Sequence, residues 1–320
     1  MAHLADNNVF PISELRGKIG LGANLAIGDA LGRREMMESK FKSIKAEESA
    51  DFANVSLKVY YTAALDGHQM AIYHYSKVDG TTEDTLRPAV LHFHGGGMIL
   101  GSVGLLENGV KSHVDTTGLD FFSVEYRLAP ENPHPIPFED CYTSLLWLNN
   151  HASDLSIDPR RIAVMGQSAG GGLAASVALA ARDRELYPPL AKQILIYPML
   201  DDRTIEPQPL LEPHLTWNTA DNRTGWGALL GDNMAGNNVS AYAAASRAES
   251  VAGLPSTYCD IGMLDLFRDE DILYVTRLAQ AGVDTEFHLY PGTPHAFEFL
   301  PDKWQAKRAK ENRIRALQSF

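Results

Sequence analysis

The chain has 320 residues, 45% of them hydrophobic and 21% charged, an ordinary globular composition that suits one large domain with an insertion. Its 40 acidic against 28 basic residues leave a net charge of −12, a field that repels nucleic-acid phosphates and anionic lipid surfaces. With two cysteines, Cys141 and Cys259, no secretory leader in "MAHLADNNVF" and no apolar run long enough for a membrane span, a soluble cytoplasmic protein without a disulfide framework is expected.

In chain order, residues 1–50 read as weak helices interrupted by Gly17, Gly20, Gly22, Gly28 and Gly32. "SLKVYYTAALDGHQMAIYHYSKV" alternates apolar and polar residues around Asp66-Gly67, the signature of a hairpin. "RPAVLHFHGGG" and "DFFSVEYRLAP" are dense apolar runs closed by breakers, which suit buried strands. "FEDCYTSLLWLNNHA" has helical spacing, "RRIAVMGQ" reads as a strand and "AGGGLAASVALAARD" as a helix. After the strand "AKQILIYPML", residues 203–248 form a long polar stretch with tryptophans. The pattern resumes with "STYCDIG", "DEDILYVTRLAQAG", "TEFHLYPG" and a basic terminal helix. Strands alternating with helices from residue 90 onward predict a mostly parallel sheet with helices on both faces. Residues 1–50 and 203–248 interrupt that pattern and are expected to form a cap. It would sit over a catalytic body of 51–202 and 249–320.

The pentapeptide "GQSAG" is a weak signal alone, but here a predicted strand precedes it and a predicted helix follows. A tight strand-to-helix turn holds Ser168 out over the sheet edge, and the helix N-terminus favours negative charge beside it. The lysine of a phosphate loop and the ribose acid of a dinucleotide site are both missing. Upstream, Gly95, Gly96 and Gly97 follow an apolar strand. Three glycines in a row cost backbone entropy, and their use is to present N–H donors to a developing oxyanion. Gly96 and Gly97 are the expected donors, with Gly95 shaping the approach and the N–H of Ala169 joining them. His92 and His94 sit two apart on that strand, but no third ligand follows at metal-site spacing. His94 is expected to brace the loop and His92 to lie in the core, with no metal or other cofactor.

"HGGG", "YRLAPENPHPIPFEDC" and "GQSAGGGLAAS", in that order, resemble the hormone-sensitive-lipase-like carboxylesterases of the α/β-hydrolases over residues 88–300. The resemblance implies an eight-stranded α/β-hydrolase sheet with a helical cap. It also implies a Ser–Asp–His triad and cofactor-free hydrolysis of a small ester. The histidine best placed for it is His295 in "YPGTPHAFEFL", on a loop after the last predicted strand and on the family's G-x-x-H-x-F. His3, His68, His113, His151 and His214 read as surface residues and His134 as loop packing. "DIGMLDLFRDEDI" offers several acids. Asp265, on the turn beyond the strand, matches the family's D-P-L-R-D-E apart from Leu266-Phe267, and Glu270 or Asp269 stand in reserve.

Met98, Trp217, Trp226, Leu230 and Met37 are candidates for an apolar substrate pocket, which suits a short- to medium-chain acyl ester or an aryl ester. Gln167, where the family usually has Asp, Glu or Thr, brings no charge and is expected to brace the site locally. Alternative readings are a non-catalytic receptor or a lyase or dehydratase on the same scaffold. An intact serine, glycine loop and His295 weigh against both. Self-association leaves no readable mark.

Overall fold

A computed structural model describes residues 10–20, 25–47, 52–78 and 86–320. Two of the positions singled out above, His3 and Gly22, lie outside them. A hairpin opens the sheet: β1 (Val55–Ala63) pairs antiparallel with β2 (Gln69–Lys77). Asp66-Gly67 makes the turn, with Gly67 at φ 86° and the Asp66 carboxylate accepting from the His68 N–H at 3.1 Å. Then follow β3 (Arg87–Phe93), α3 (Val103–Thr117), β4 (Asp120–Val124), α4 (Ile136–Asn150), β5 (Ile157–Gln167) and α5 (Ala169–Asp183). The N-terminal helices are α1 (Ile12–Ile19) and α2 (Ala30–Glu47). The C-terminal half holds β6 (Lys192–Ile196), α6 (Thr219–Leu230), β7 (Ser256–Gly262), α7 (Arg268–Gln280), β8 (Thr285–Tyr290) and α8 (Trp304–Leu317).

The eight strands form one sheet in the order β1-β2-β4-β3-β5-β6-β7-β8, parallel from β4 to β8. β4 and β6 are buried along their whole length and β3 and β7 over most of theirs, because helices pack on the sheet. α4 pairs with α5, and α3 with α8. The apolar runs are dense for this reason. α3 was not read from the sequence, although its punctuation is there. Ser102 caps it by accepting from the Leu105 N–H, and Gly118 at φ 73° ends it. Both cysteines are free and buried.

α1 and α2 lie against the 203–248 segment. The Arg33 guanidinium on α2 meets Asp221 on α6 at 2.8 Å, with both side chains buried. Asp221 also closes the capping box of α6 with Asn218. The Gly28 N–H donates to Thr224 Oγ1 at 3.0 Å, and the Arg16 Nε–H to the Leu215 carbonyl at 3.0 Å. Arg34 Nε–H reaches the Ile99 carbonyl at 2.7 Å, which fastens α2 to the glycine loop after β3.

Candidate active site

Ser168 occupies the turn between β5 and α5 at φ 58° and ψ −124°, a strained conformation for a non-glycine residue. Its N–H donates to the Ile196 carbonyl at 2.9 Å, and its own carbonyl accepts from Gly172 and Met199, so both strand ends and the helix hold the turn. The first turn of α5 crosses the end of β3 closely. A β-carbon on Gly170 would fall 2.1 Å from the Phe93 carbonyl oxygen.

His295 follows β8 and Asp265 follows β7, and both side chains converge on Ser168. His295 Nδ1 lies 2.7 Å from Asp265 Oδ2, and His295 Nε2 lies 2.9 Å from Ser168 Oγ. A carboxylate only accepts, so Nδ1 carries its proton and Nε2 faces the serine hydroxyl as an acceptor. Asp265 is itself oriented by the Phe267 N–H, which donates to Oδ1 at 3.0 Å. Tyr197 and Phe267 meet the imidazole edge-on at 4.5 and 5.3 Å, and Thr216 Oγ1 donates to the His295 carbonyl at 2.7 Å. Sequence reasoning missed all three of these supports. Tyr197 and Thr216 come from remote segments with no local motif.

Three of the other acids are committed elsewhere. Glu270 Oε1 accepts from the Leu200 and Asp201 N–H groups at 2.7 and 3.1 Å, and burial pushes its carboxyl pKa up. Asp269 pairs with Arg268 at the surface, and Asp260 takes Arg313 bidentately at 2.7 and 2.8 Å.

Gly95, Gly96 and Gly97 form one wall of a cavity of about 430 Å³ that reaches Ser168 and His295. Among the described residues, the N–H groups of Gly96, Gly97 and Ala169 donate to no backbone carbonyl. Ala169 is the first residue of α5, where an N–H has no partner within its helix. His94 lies beneath the loop. Its Nδ1 sits 2.9 Å from the Gly95 carbonyl, its ring stacks on Tyr126 at 4.3 Å, and the Tyr126 hydroxyl donates to the His94 carbonyl at 2.7 Å. Burial lowers the His94 pKa to about 4. His92 is in the core, its pKa lowered by burial to about 4, with Nε2 3.0 Å from Gln167 Oε1.

Of the proposed pocket residues, Met37 and Trp217 line the cavity, and Phe41, Ile44, Leu105 and Leu106 join them. Met98 does not. The positive φ angles of Gly96, Gly97 and Met98 turn the chain back on itself, and Met98 is buried with its terminal methyl near Gly172 of α5. Trp226 is fully buried away from the cavity, and Leu230, half-buried near the end of α6, is also absent from its walls. Helical position on an insertion does not say which face looks at the cleft, which accounts for both misplacements. His113 also departs from its expected surface position. Its ring stacks on Phe121, and burial lowers its pKa to about 3.

Among the described residues, no group of three or more His, Cys, Asp or Glu side chains could hold a metal ion. None of their helices is long and apolar enough to cross a membrane.

Fold and site together define an α/β-hydrolase, and a family model for the alpha/beta hydrolase fold matches residues 90–299. The chain is 36% identical over 204 residues to an esterase, LipI, of Mycobacterium tuberculosis, covering 63% of this chain and 62% of that one. It is 32% identical over 222 residues to the carboxylesterase NlhH of the same organism, covering 66% of each. These alignments therefore span somewhat less than two thirds of those relatives. Among solved structures, a bacterial heroin esterase superposes with a TM-score of 0.85 at 35% identity, covering 97% of this chain and 98% of that one. The chain belongs to the hormone-sensitive-lipase-like carboxylesterase family of the α/β-hydrolases, a family of carboxylic ester hydrolases.

Proposed function

We propose that the chain is a serine carboxylesterase that hydrolyses short- to medium-chain acyl or aryl esters through an acyl-enzyme. The observation that carries this reading is the unbroken hydrogen-bonded line from Asp265 through His295 to Ser168, at 2.7 and 2.9 Å, ending in the cavity. Named esterases among its relatives and a solved esterase of the same fold support it.

Ser168 Oγ attacks the ester carbonyl carbon while His295 Nε2 takes its proton, and Asp265 stabilises the imidazolium that results. The N–H groups of Gly96, Gly97 and Ala169 receive the oxyanion, with Gly95 keeping the approach clear. The tetrahedral adduct collapses, and the leaving alcohol takes the proton from Nε2. Water then gives a proton to His295 and attacks the acyl-enzyme, which releases the carboxylic acid and restores Ser168. Residues 1–50 and 203–248 act as the cap, since Met37, Phe41, Ile44 and Trp217 wall the cavity from those segments. A cavity of about 430 Å³ with mostly apolar walls suits a small ester.

The test is hydrolysis of 4-nitrophenyl esters from acetate to laurate by the wild type and Ser168→Ala. The wild type is expected to prefer the shorter half of the series, and Ser168→Ala to lose at least about a thousandfold in kcat. No turnover anywhere in the series, or turnover that survives Ser168→Ala, overturns the reading.

A further inference from the structure

Gln167 is the last residue of β5, directly before Ser168, and its side chain borders the cavity. It also packs under the glycine loop, since a β-carbon on Gly95 would fall 3.4 Å from Gln167 Cγ. The amide is not free to turn. Gln167 Oε1 lies 3.0 Å from His92 Nε2, and an amide oxygen only accepts, so the His92 proton is on Nε2. In the neutral ring Nδ1 is then an acceptor, and Ser123 Oγ lies 3.1 Å from it to donate. Burial keeps His92 neutral at ordinary pH, with its pKa lowered to about 4.

The relay from Ser123 to His92 to Gln167 therefore runs in one direction and leaves one end open. That end is the Gln167 amide nitrogen, two N–H donors with no protein acceptor among the described residues. The cavity that Gln167 borders has apolar walls that include Phe41, Leu106 and Trp217, with Asn108, Ser112 and Glu298 among its polar lining. An all-carbon substrate chain passing this donor strips its water and gives nothing back. A substrate oxygen at the same place satisfies it. Discrimination of this kind exceeds what a change of shape alone can give, because the loser leaves a polar group unpaired.

We propose that Gln167 is a substrate-positioning residue whose amide nitrogen, oriented by His92, donates to an oxygen two or three bonds from the scissile carbonyl. The favoured substrates are then alkoxy-, hydroxy- or oxo-substituted esters rather than simple alkyl esters. This rests on the ester-hydrolase reading and sharpens its substrate class.

The experiment compares two matched pairs, 4-nitrophenyl methoxyacetate against butanoate and 3-methoxypropanoate against pentanoate. Each pair exchanges one methylene for an oxygen. Intrinsic reactivity cancels when the ratio of kcat/KM within a pair is compared between proteins. In Gln167→Met, of similar length without a donor, the ratio for at least one pair is expected to fall about three- to tenfold, chiefly through KM. His92→Phe, which releases the amide, is expected to lower the same ratio. A ratio unmoved in Gln167→Met for both pairs overturns the proposal, whatever happens to the absolute rates, since a merely structural role slows both members alike. A ratio lowered in Gln167→Met but intact in His92→Phe overturns the part assigned to His92. Turnover of both pairs by Ser168→Ala overturns instead the ester-hydrolase reading itself.

Discussion

Trp217 closes over Gly97 so tightly that a β-carbon on Gly97 would fall 2.3 Å from the indole Cη2. The tryptophan comes from the 203–248 segment, and its Nε1–H is held by Asn222 Oδ1 at 3.2 Å. The proposed oxyanion donor is thus pinned from above by a side chain far away in sequence.

Gly97→Ala is expected to lower kcat by about 100- to 1,000-fold, as removal of an oxyanion donor does, because the loop must shift to escape the indole. The measurement is steady-state turnover of 4-nitrophenyl butanoate. Adding Trp217→Ala should restore part of the loss by opening the space. Gly97→Ala turning over within threefold of the wild type would remove Gly97 from the proposed site.

Asp265→Asn should leave the side chains in place and reverse the His295 tautomer, so that Nε2 presents a proton to Ser168 instead of accepting one. Turnover is expected to fall by about 10⁴-fold. Glu270→Gln is the informative control. Glu270 secures the Leu200 and Asp201 amides rather than the imidazole, so its loss should lower the melting temperature far more than kcat. A larger kcat loss in Glu270→Gln than in Asp265→Asn would transfer the acid role.

The Arg33–Asp221 pair, buried at 2.8 Å, joins α2 to α6. Removing one partner of such a pair strands the other charge. Arg33→Ala is therefore expected to cost about 3 kcal/mol or more of stability, read by denaturant unfolding. Arg33→Ala with Asp221→Asn should be less destabilised than Arg33→Ala alone, since no bare carboxylate remains. The opposite order would show that the charge is not what matters at this joint.

His92 predicts a pH dependence with a defined sign. Its pKa is about 4 in the folded chain and near 6.5 when unfolded, so between those values the unfolded chain binds the extra proton. The stability contribution is present above about pH 6.5 and is lost as pH falls towards 4. His94 and His113, also lowered by burial, act in the same direction. They are common to both proteins in a comparison with His92→Asn. The unfolding free energy of the wild type minus that of His92→Asn should therefore shrink on going from about pH 7 to about pH 4.5. A difference that stays constant would contradict it.

Much of the fold was legible because backbone chemistry writes itself locally. The Asp66-Gly67 turn, the dense strands and the strand-to-helix passage at Ser168 all leave residue-type signatures within a few positions. α3 was legible too, with caps at Ser102 and Gly118 and buried Val103, Val110 and Val114 at helical spacing, yet it was not read. The candidate site was partly legible for the same reason. Ser168, the glycine triplet and His295 carry motifs, whereas Asp265 had to be chosen among neighbouring acids. The supports could not be read, since Tyr197, Thr216 and the His92 contact to Gln167 depend on which segments meet.

From sequence alone came the strands and most of the helices, the hydrolase family and a short list of reactive side chains. Only the tertiary structure decided that Met98 faces the core rather than the cleft. It also decided that Trp217 covers Gly97, and that Gln167 is oriented by a buried histidine. Local pattern follows from backbone geometry and side-chain polarity a few residues apart. The direction a side chain takes in a loop or cap depends on packing against residues far away in the chain. Gln167 stands on that boundary: its identity is a departure visible in the sequence, and its proposed use comes from His92 across the neighbouring strand.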